Sequence, residues 1–238
     1  MKEIAVIGLS CLFPGAKTPL EYWQNLLQGK NLCAPATKSD LEVEPSRFFS
    51  DKKGLADKYY CASGGYINDF ILDPEGFLFT AERINKFGET FQWSLHVARE
   101  ALRESGYYQN FKKLKECGIV LGNLSFPTKA SNNLIMPLYR EALDPLLKKE
   151  LDCEDFCLSS FSKKVDYASE NSHISGLPAS IVAQALGLSP HSLALDAACA
   201  SSLYAVYLAC QYLQSGKTDL MLAGSVNAAD PFFIKMGF

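Results

Sequence analysis

Between Glu82 and Ser105 an apolar residue recurs every three or four positions: Ile84, Phe87, Phe91, Leu95, Ala98 and Leu102. That period puts all six on one face of an α-helix, which Gly106 is expected to end. Upstream, "TPLEYWQNLLQGK" predicts another helix. Thr18 is its N-cap, Pro19 takes the first helical position, Glu21 completes a capping box and Gly29 suits the C′ position. "LPASIVAQALG" predicts a short helix closed by Gly187. The run after Cys199 predicts one more, with Leu203, Val206, Cys210 and Leu213 on one face and Gly216 at its end.

Four other apolar runs are too short for helices and rich in β-formers: "EIAVIGL" at the N-terminus, "CGIVLGN" (117–123), "SLALD" and "DLMLAGS". Each reads as a buried strand, and helices separate them. Nearly all-apolar strands alternating with helices predict an α/β fold, with a mainly parallel sheet covered on both faces. Residues 31–80 read as loops over this scaffold. Residues 125–172 hold scattered helical pieces such as "LYREALDPLLKKEL" and read as an insertion.

Composition narrows the classes. With 238 residues, 48% apolar and 21% charged, the chain is expected to be a soluble globular protein with a sizeable core. A net charge of −3 gives no electrostatic case for nucleic acid or an anionic membrane surface. The N-terminal apolar run is too short for a signal peptide, and Pro and Gly interrupt every longer one, so a cytoplasmic location is expected. The eight cysteines then read as free thiols rather than disulfides. Cys153 and Cys157 form a C-x₃-C pair, with His173 downstream. No second Cys/His pair completes a zinc set, so no metal is expected.

The candidate chemistry lies in "LDAACASSLYAV", where Cys199 stands among small residues between a strand and a helix. Small neighbours allow a tight turn and close approach of a substrate carbonyl. Amides and dipole at a helix N-terminus favour thiolate over thiol and can stabilise an oxyanion. The residues alone also fit a buried, inert thiol filling a core between alanines.

The same stretch resembles the active-site motif of β-ketoacyl synthases, D-x-A-C-[SA]-[ST]-S-L, with Cys199 on the nucleophile. "IAVIGLSCLFPGA" resembles the opening of type I ketosynthase domains, with Leu12 where the family often has a basic residue. "GIVLGN" and "DLMLAGSVNAADPFFIKMGF" resemble the segments before the family's pocket loops and after its nucleophile helix. The wording is most similar to polyketide and polyunsaturated-fatty-acid synthases.

The resemblance implies a thiolase-like fold, of which residues 1–238 form the N-terminal half, with insertions around 31–80 and 125–172. It implies that Cys199 accepts an acyl group from acyl carrier protein and that the thioester condenses with a carbanion from malonyl-carrier protein. Phe238 matches a pocket-lining aromatic. No cofactor is implied. The condensation requires two histidines and a lysine from the second half, whose H-G-T-x-T and N-x-G-H motifs do not occur in this sequence. His96, His173 and His191 match no catalytic position. The chain alone is therefore expected to be incomplete for condensation. A homodimer, a chain supplying the second half, or a longer protein is expected to cover the apolar face. The competing readings are a catalytically inactive ketosynthase-like partner subunit and a thiolase-superfamily enzyme using coenzyme A thioesters.

Overall fold

The computed structural model describes residues 3–158 and 165–237. In chain order the first elements are α1 (Pro19–Leu27), β1 (Ala34–Pro35), α2 (Lys38–Leu41), α3 (Pro45–Phe48) and β2 (Ser63–Gly64). Then come α4 (Ala81–Asn85), α5 (Glu89–Glu104), α6 (Phe111–Leu114), β3 (Cys117–Asn123) and α7 (Lys129–Glu150). The last are α8 (Leu177–Leu186), β4 (Ser192–Leu195), α9 (Ser201–Gln214), β5 (Leu220–Val226) and α10 (Pro231–Gly237).

The main sheet is wholly parallel, in the order β4-β3-β5. All of β3 is buried, and its side chains alternate between two layers. Cys117, Ile119 and Leu121 enter a core with Phe87, Phe91 and Leu95 from the α4–α5 region and Val182 and Leu186 of α8. Gly122, on the opposite face, meets Ser201 of α9. Helices thus cover both faces of β3, α5 and α8 on one and α9 on the other. β4 and β5 are less enclosed than the sequence predicts, since several of their positions remain partly or fully exposed. Phe91 and Leu95 have no exposed surface, and burial of such a side chain stabilises the fold by about 1.5–3 kcal/mol.

The local signals around α1 are confirmed. Thr18 accepts from the Glu21 amide, Glu21 returns a bond to the Thr18 amide, and Gly29 takes a left-handed φ of 61°. Gly187 ends α8 in the same conformation, with φ 69°.

Four expectations need correction. The helix predicted from Glu82 to Ser105 is two helices, α4 and α5, broken at Lys86–Gly88. Its apolar face is continuous all the same, for Ile84, Phe87, Phe91, Leu95, Ala98 and Leu102 are all buried. The break is held from outside, because the Gly88 amide donates to the side chain of Asn171.

The second correction concerns the N-terminal run, which forms no strand and lies exposed, Val6 at 85%. It crosses α5 instead. Ser10 Oγ donates to the Val97 carbonyl, the Leu9 amide donates to Glu104, and a methyl group on Gly8 would collide with the Ala101 carbonyl. A cavity of about 1270 Å³ separates this segment from β5. A strand needs a hydrogen-bonded neighbour, and here the nearest sheet edge lies across that gap.

Third, the helical pieces expected in 125–172 include a single 22-residue helix, α7, which runs through Pro137 and Pro145. Each proline forfeits one main-chain hydrogen bond there. A reciprocal capping box between Thr128 and Ser131 starts α7.

Fourth, α9 is turned relative to the expected face. It packs on the sheet through Ser201, Ala205 and Ala209, while Leu203, Val206, Tyr204 and Tyr207 are exposed. Cys210 is half-buried rather than inside the packed face. Small side chains let the helix approach the strands closely, so the bulky ones point outward.

Candidate active site

β3, β4 and β5 all end on the same side of the sheet, and the loops leaving those C-terminal ends build the site. β4 leads into Asp196 and Ala197, then a single 3₁₀ turn, Ala198–Ala200, and α9 begins at Ser201. Cys199 is at the middle of that turn and exposed, so it is not the core-filling thiol that its alanine neighbours allow.

The turn is strained and held. Ala198 has φ 50°, a left-handed conformation that costs a non-glycine residue about 1–3 kcal/mol. Asp196 accepts from the Ala198 amide at 2.9 Å through one carboxylate oxygen and from the Ser125 amide at 2.8 Å through the other. These two bonds hold its carboxyl below the usual carboxylate range. Buried Ser201 closes the turn from the other side: its hydroxyl accepts from the Ala197 amide at 2.9 Å and donates to the Ala198 carbonyl at 2.8 Å. A methyl group on Gly122 would sit 2.7 Å from Ser201 Cβ, so only glycine lets β3 come so close beneath the turn. No side chain caps the start of α9; the turn itself takes up the Ala200 amide on the Ala197 carbonyl and the Ser201 amide on the Ala198 carbonyl.

Two loops flank the turn. The Ser125 amide belongs to the β3–α7 loop, where Phe126 packs at a tilt against Phe233 of α10 with centroids 5.4 Å apart. Asp230, which precedes α10, donates its amide to the Pro127 carbonyl and accepts from Asn132 at 2.7 Å. Lys235 of α10 donates to the carbonyls of Cys61, Ala62 and Ser63, tying the far end of that helix to the 31–80 region.

The other candidates lie elsewhere. His96 is half-buried on α5 beside Phe70, and burial lowers its pKa. His173 shares a 2.9 Å hydrogen bond with Ser172. His191 precedes β4, at the opposite end of that strand from Cys199. Phe238 lies outside the described residues. Among the described residues no group of three His, Cys, Asp or Glu side chains could hold a metal ion. No described helix is long and apolar enough to cross a membrane. The large cavity beside β5 does not reach Cys199.

Asp196, Ser201, Ser125 and Gly122 are the residues that sequence reasoning missed. Asp196 carried a readable signal, since an aspartate two residues before a small residue commonly forms an Asx turn.

A cysteine-bearing strand-to-helix turn at the end of this parallel sheet fits the thiolase-like class, and solved structures agree. The chain superposes on "PfaC Keto synthase-Chain length factor" with a TM-score of 0.92 and 44% identity, covering 98% of this chain and 25% of that one. A ketosynthase from module 6 of the bacillaene synthase of Bacillus subtilis has the same fold, with a TM-score of 0.71 and 22% identity over 98% of this chain and 34% of its own.

The chain belongs to the β-ketoacyl synthase family: residues 1–232 match the family's N-terminal domain. Over its whole length it is 30% identical to one polyunsaturated fatty acid synthase polypeptide of Thraustochytrium. Over 99% of its length it is 27% identical to another polypeptide of the same synthase. It spans only 11% and 8% of those two proteins.

Proposed function

We propose that this chain is the acyl-accepting part of a β-ketoacyl synthase in polyunsaturated fatty acid or polyketide assembly, with Cys199 as its nucleophile. The observation that carries the reading is the exposed Cys199 on a pinned turn directly before an uncapped helix N-terminus. The Cys199 sulfur attacks the carbonyl carbon of an acyl thioester on acyl carrier protein. An S–C bond forms to Cys199, the bond to the carrier's pantetheine sulfur breaks, and the carrier leaves as the thiol. The positive end of the α9 dipole favours the oxyanion of the tetrahedral intermediate beside Cys199. A malonyl group on carrier protein then loses CO₂, and its carbanion displaces Cys199 as the β-ketoacyl product forms.

That second step needs acid–base groups, which typically contribute about 10²–10⁴-fold. The three histidines of this chain lie outside the turn, so the missing groups come from a second half of the fold. The outward face of α9, with Leu203, Tyr204, Val206 and Tyr207 exposed, is the surface such a half would cover, whether in a dimer, a partner chain or a longer protein.

The test is incubation of the chain with a radiolabelled acyl thioester, peptide mapping of the label and analysis for β-ketoacyl product. Label on Cys199 without product is expected. Label spread evenly over the exposed cysteines would refute the nucleophile, and product from the isolated chain would refute the need for a second half.

A further inference from the structure

We propose that Asp196 is a positioning residue for Cys199, holding the nucleophile turn in its left-handed conformation and tying it to the β3–α7 loop. The inference deepens the reading of Cys199 as an acyl acceptor and rests on it.

Ala198 is one of five non-glycine residues among the described ones with positive φ, and it directly precedes Cys199. Left to itself, an alanine returns to negative φ, because its Cβ crowds the backbone in the left-handed region. That rotation would swing the Cα–Cβ bond of the next residue, and with it the Cys199 sulfur. Two side chains oppose it. Ser201 holds the Ala197 amide and the Ala198 carbonyl, while Asp196 holds the Ala198 amide.

Asp196 alone does more than close the turn. Its second oxygen accepts from the Ser125 amide, 71 residues away in sequence. One carboxylate therefore joins the loop after β4 to the loop after β3. Asp196 has no reach into the chemistry in this role. It touches backbone amides and acts through the place it gives Cys199.

The experiment compares wild type, Asp196→Asn, Asp196→Ala, Ala198→Gly and the double variant Asp196→Ala/Ala198→Gly, all in the full chain. Two rates are read at Cys199 by mass spectrometry: acylation by octanoyl-N-acetylcysteamine and alkylation by iodoacetamide. The exposed Cys33 and Cys153 serve as internal controls.

Asp196→Ala is expected to slow acylation of Cys199 roughly 10–100-fold, the cost of a misplacement of about 1 Å, with the control thiols unchanged. Asp196→Asn keeps at most one of the two acceptor bonds and should fall between. Adding Ala198→Gly should recover most of the loss, because glycine holds positive φ without a staple. If Asp196→Ala does not fold, Asp196→Asn with and without Ala198→Gly carries the same comparison. Unchanged rates in the aspartate variants, or a loss that glycine at 198 does not recover, would overturn the proposal. Should wild-type Cys199 take no acyl group, the nucleophile reading fails instead, and the alkylation rates still report whether the staple holds the turn.

Discussion

The Asn171 side chain accepts a hydrogen bond from the Gly88 amide at 2.6 Å, across 83 residues of sequence. Its Nδ2 group donates to the carbonyls of Ala168 at 2.7 Å and Lys86 at 3.0 Å. One buried side chain therefore satisfies the Gly88 amide where α4 breaks from α5 and ties the break to the segment at Ala168. Gly88 is close-packed as well, since a methyl group there would sit 2.5 Å from Ala130 Cβ.

Asn171→Ala removes all three bonds but strands only the Gly88 amide. The Lys86 carbonyl still accepts from the Ala168 amide, and the Ala168 carbonyl from the amide of residue 171. One stranded buried group costs about 1–3 kcal/mol. A loss of about 1–3 kcal/mol is expected from urea unfolding, with the midpoint lowered and the slope unchanged.

Gly122→Ala drives a methyl group into Ser201, under the Cys199 turn. Overpacking of this kind costs about 1–3 kcal/mol. A lower thermal midpoint and slower acylation of Cys199 are both expected, whereas Gly176→Ala, where a Cβ meets open space, should leave acylation unchanged.

The thiols should react in a set order. Cys117 has no exposed surface, and burial pushes its pKa up to about 12. Iodoacetamide under native conditions at neutral pH should modify Cys199 first and Cys117 only after unfolding. Mass spectrometry of timed samples reads this directly.

Acid should release the turn. The amides of Ser125 and Ala198 lower the Asp196 pKa in the folded chain, whereas the unfolded aspartate titrates near 3.9. The contribution of this carboxylate is thus fully present above that value and lost as pH falls through the lower, folded one. Amide NMR shifts of Ser125 and Ala198 should be flat from pH 7 to about 5 and move together below about 4. Asp196→Asn should abolish the response.

The outward face of α9 should govern self-association. Replacing exposed Leu203 and Tyr207 with glutamate is expected to change stability by less than about 0.5 kcal/mol. It should reduce dye binding to apolar surface and shift any dimer in size-exclusion chromatography toward monomer.

What could be read from the sequence was whatever local physics decides. Thr18 and Glu21 are three residues apart, so their capping box needs no knowledge of the rest of the chain. The same holds for the apolar period from Ile84 to Leu102 and for the apolar run of β3. The break at Lys86–Gly88 was hidden because Asn171, which supports it, comes from a distant segment. The orientation of α9 was hidden for a related reason. Its leucine and tyrosine side chains outweigh its alanines in any hydrophobic count, but Gly122 on the strand beneath selects the small face. The N-terminal run forms no strand because a strand is a property of a pair, and the edge of β5 lies across a cavity. At the site, the motif around Cys199 singled out the candidate thiol, while the partner that gives Asp196 its role, Ser125, is fixed only by the fold.

The place of β3 in the sheet bears on how the chain is made. The ribosome finishes β3 at Asn123, but its neighbours begin only at Ser192 and Leu220. At about 5–20 residues per second, the strand waits roughly 5–20 s for the last of them. During that interval "CGIVLGN" is an unpaired, uncharged β-forming segment, open to association with neighbouring nascent chains. Recovery of native protein should therefore depend on translation speed and chaperone supply. The residues most fully enclosed at the end are the ones that synthesis must leave bare along the way.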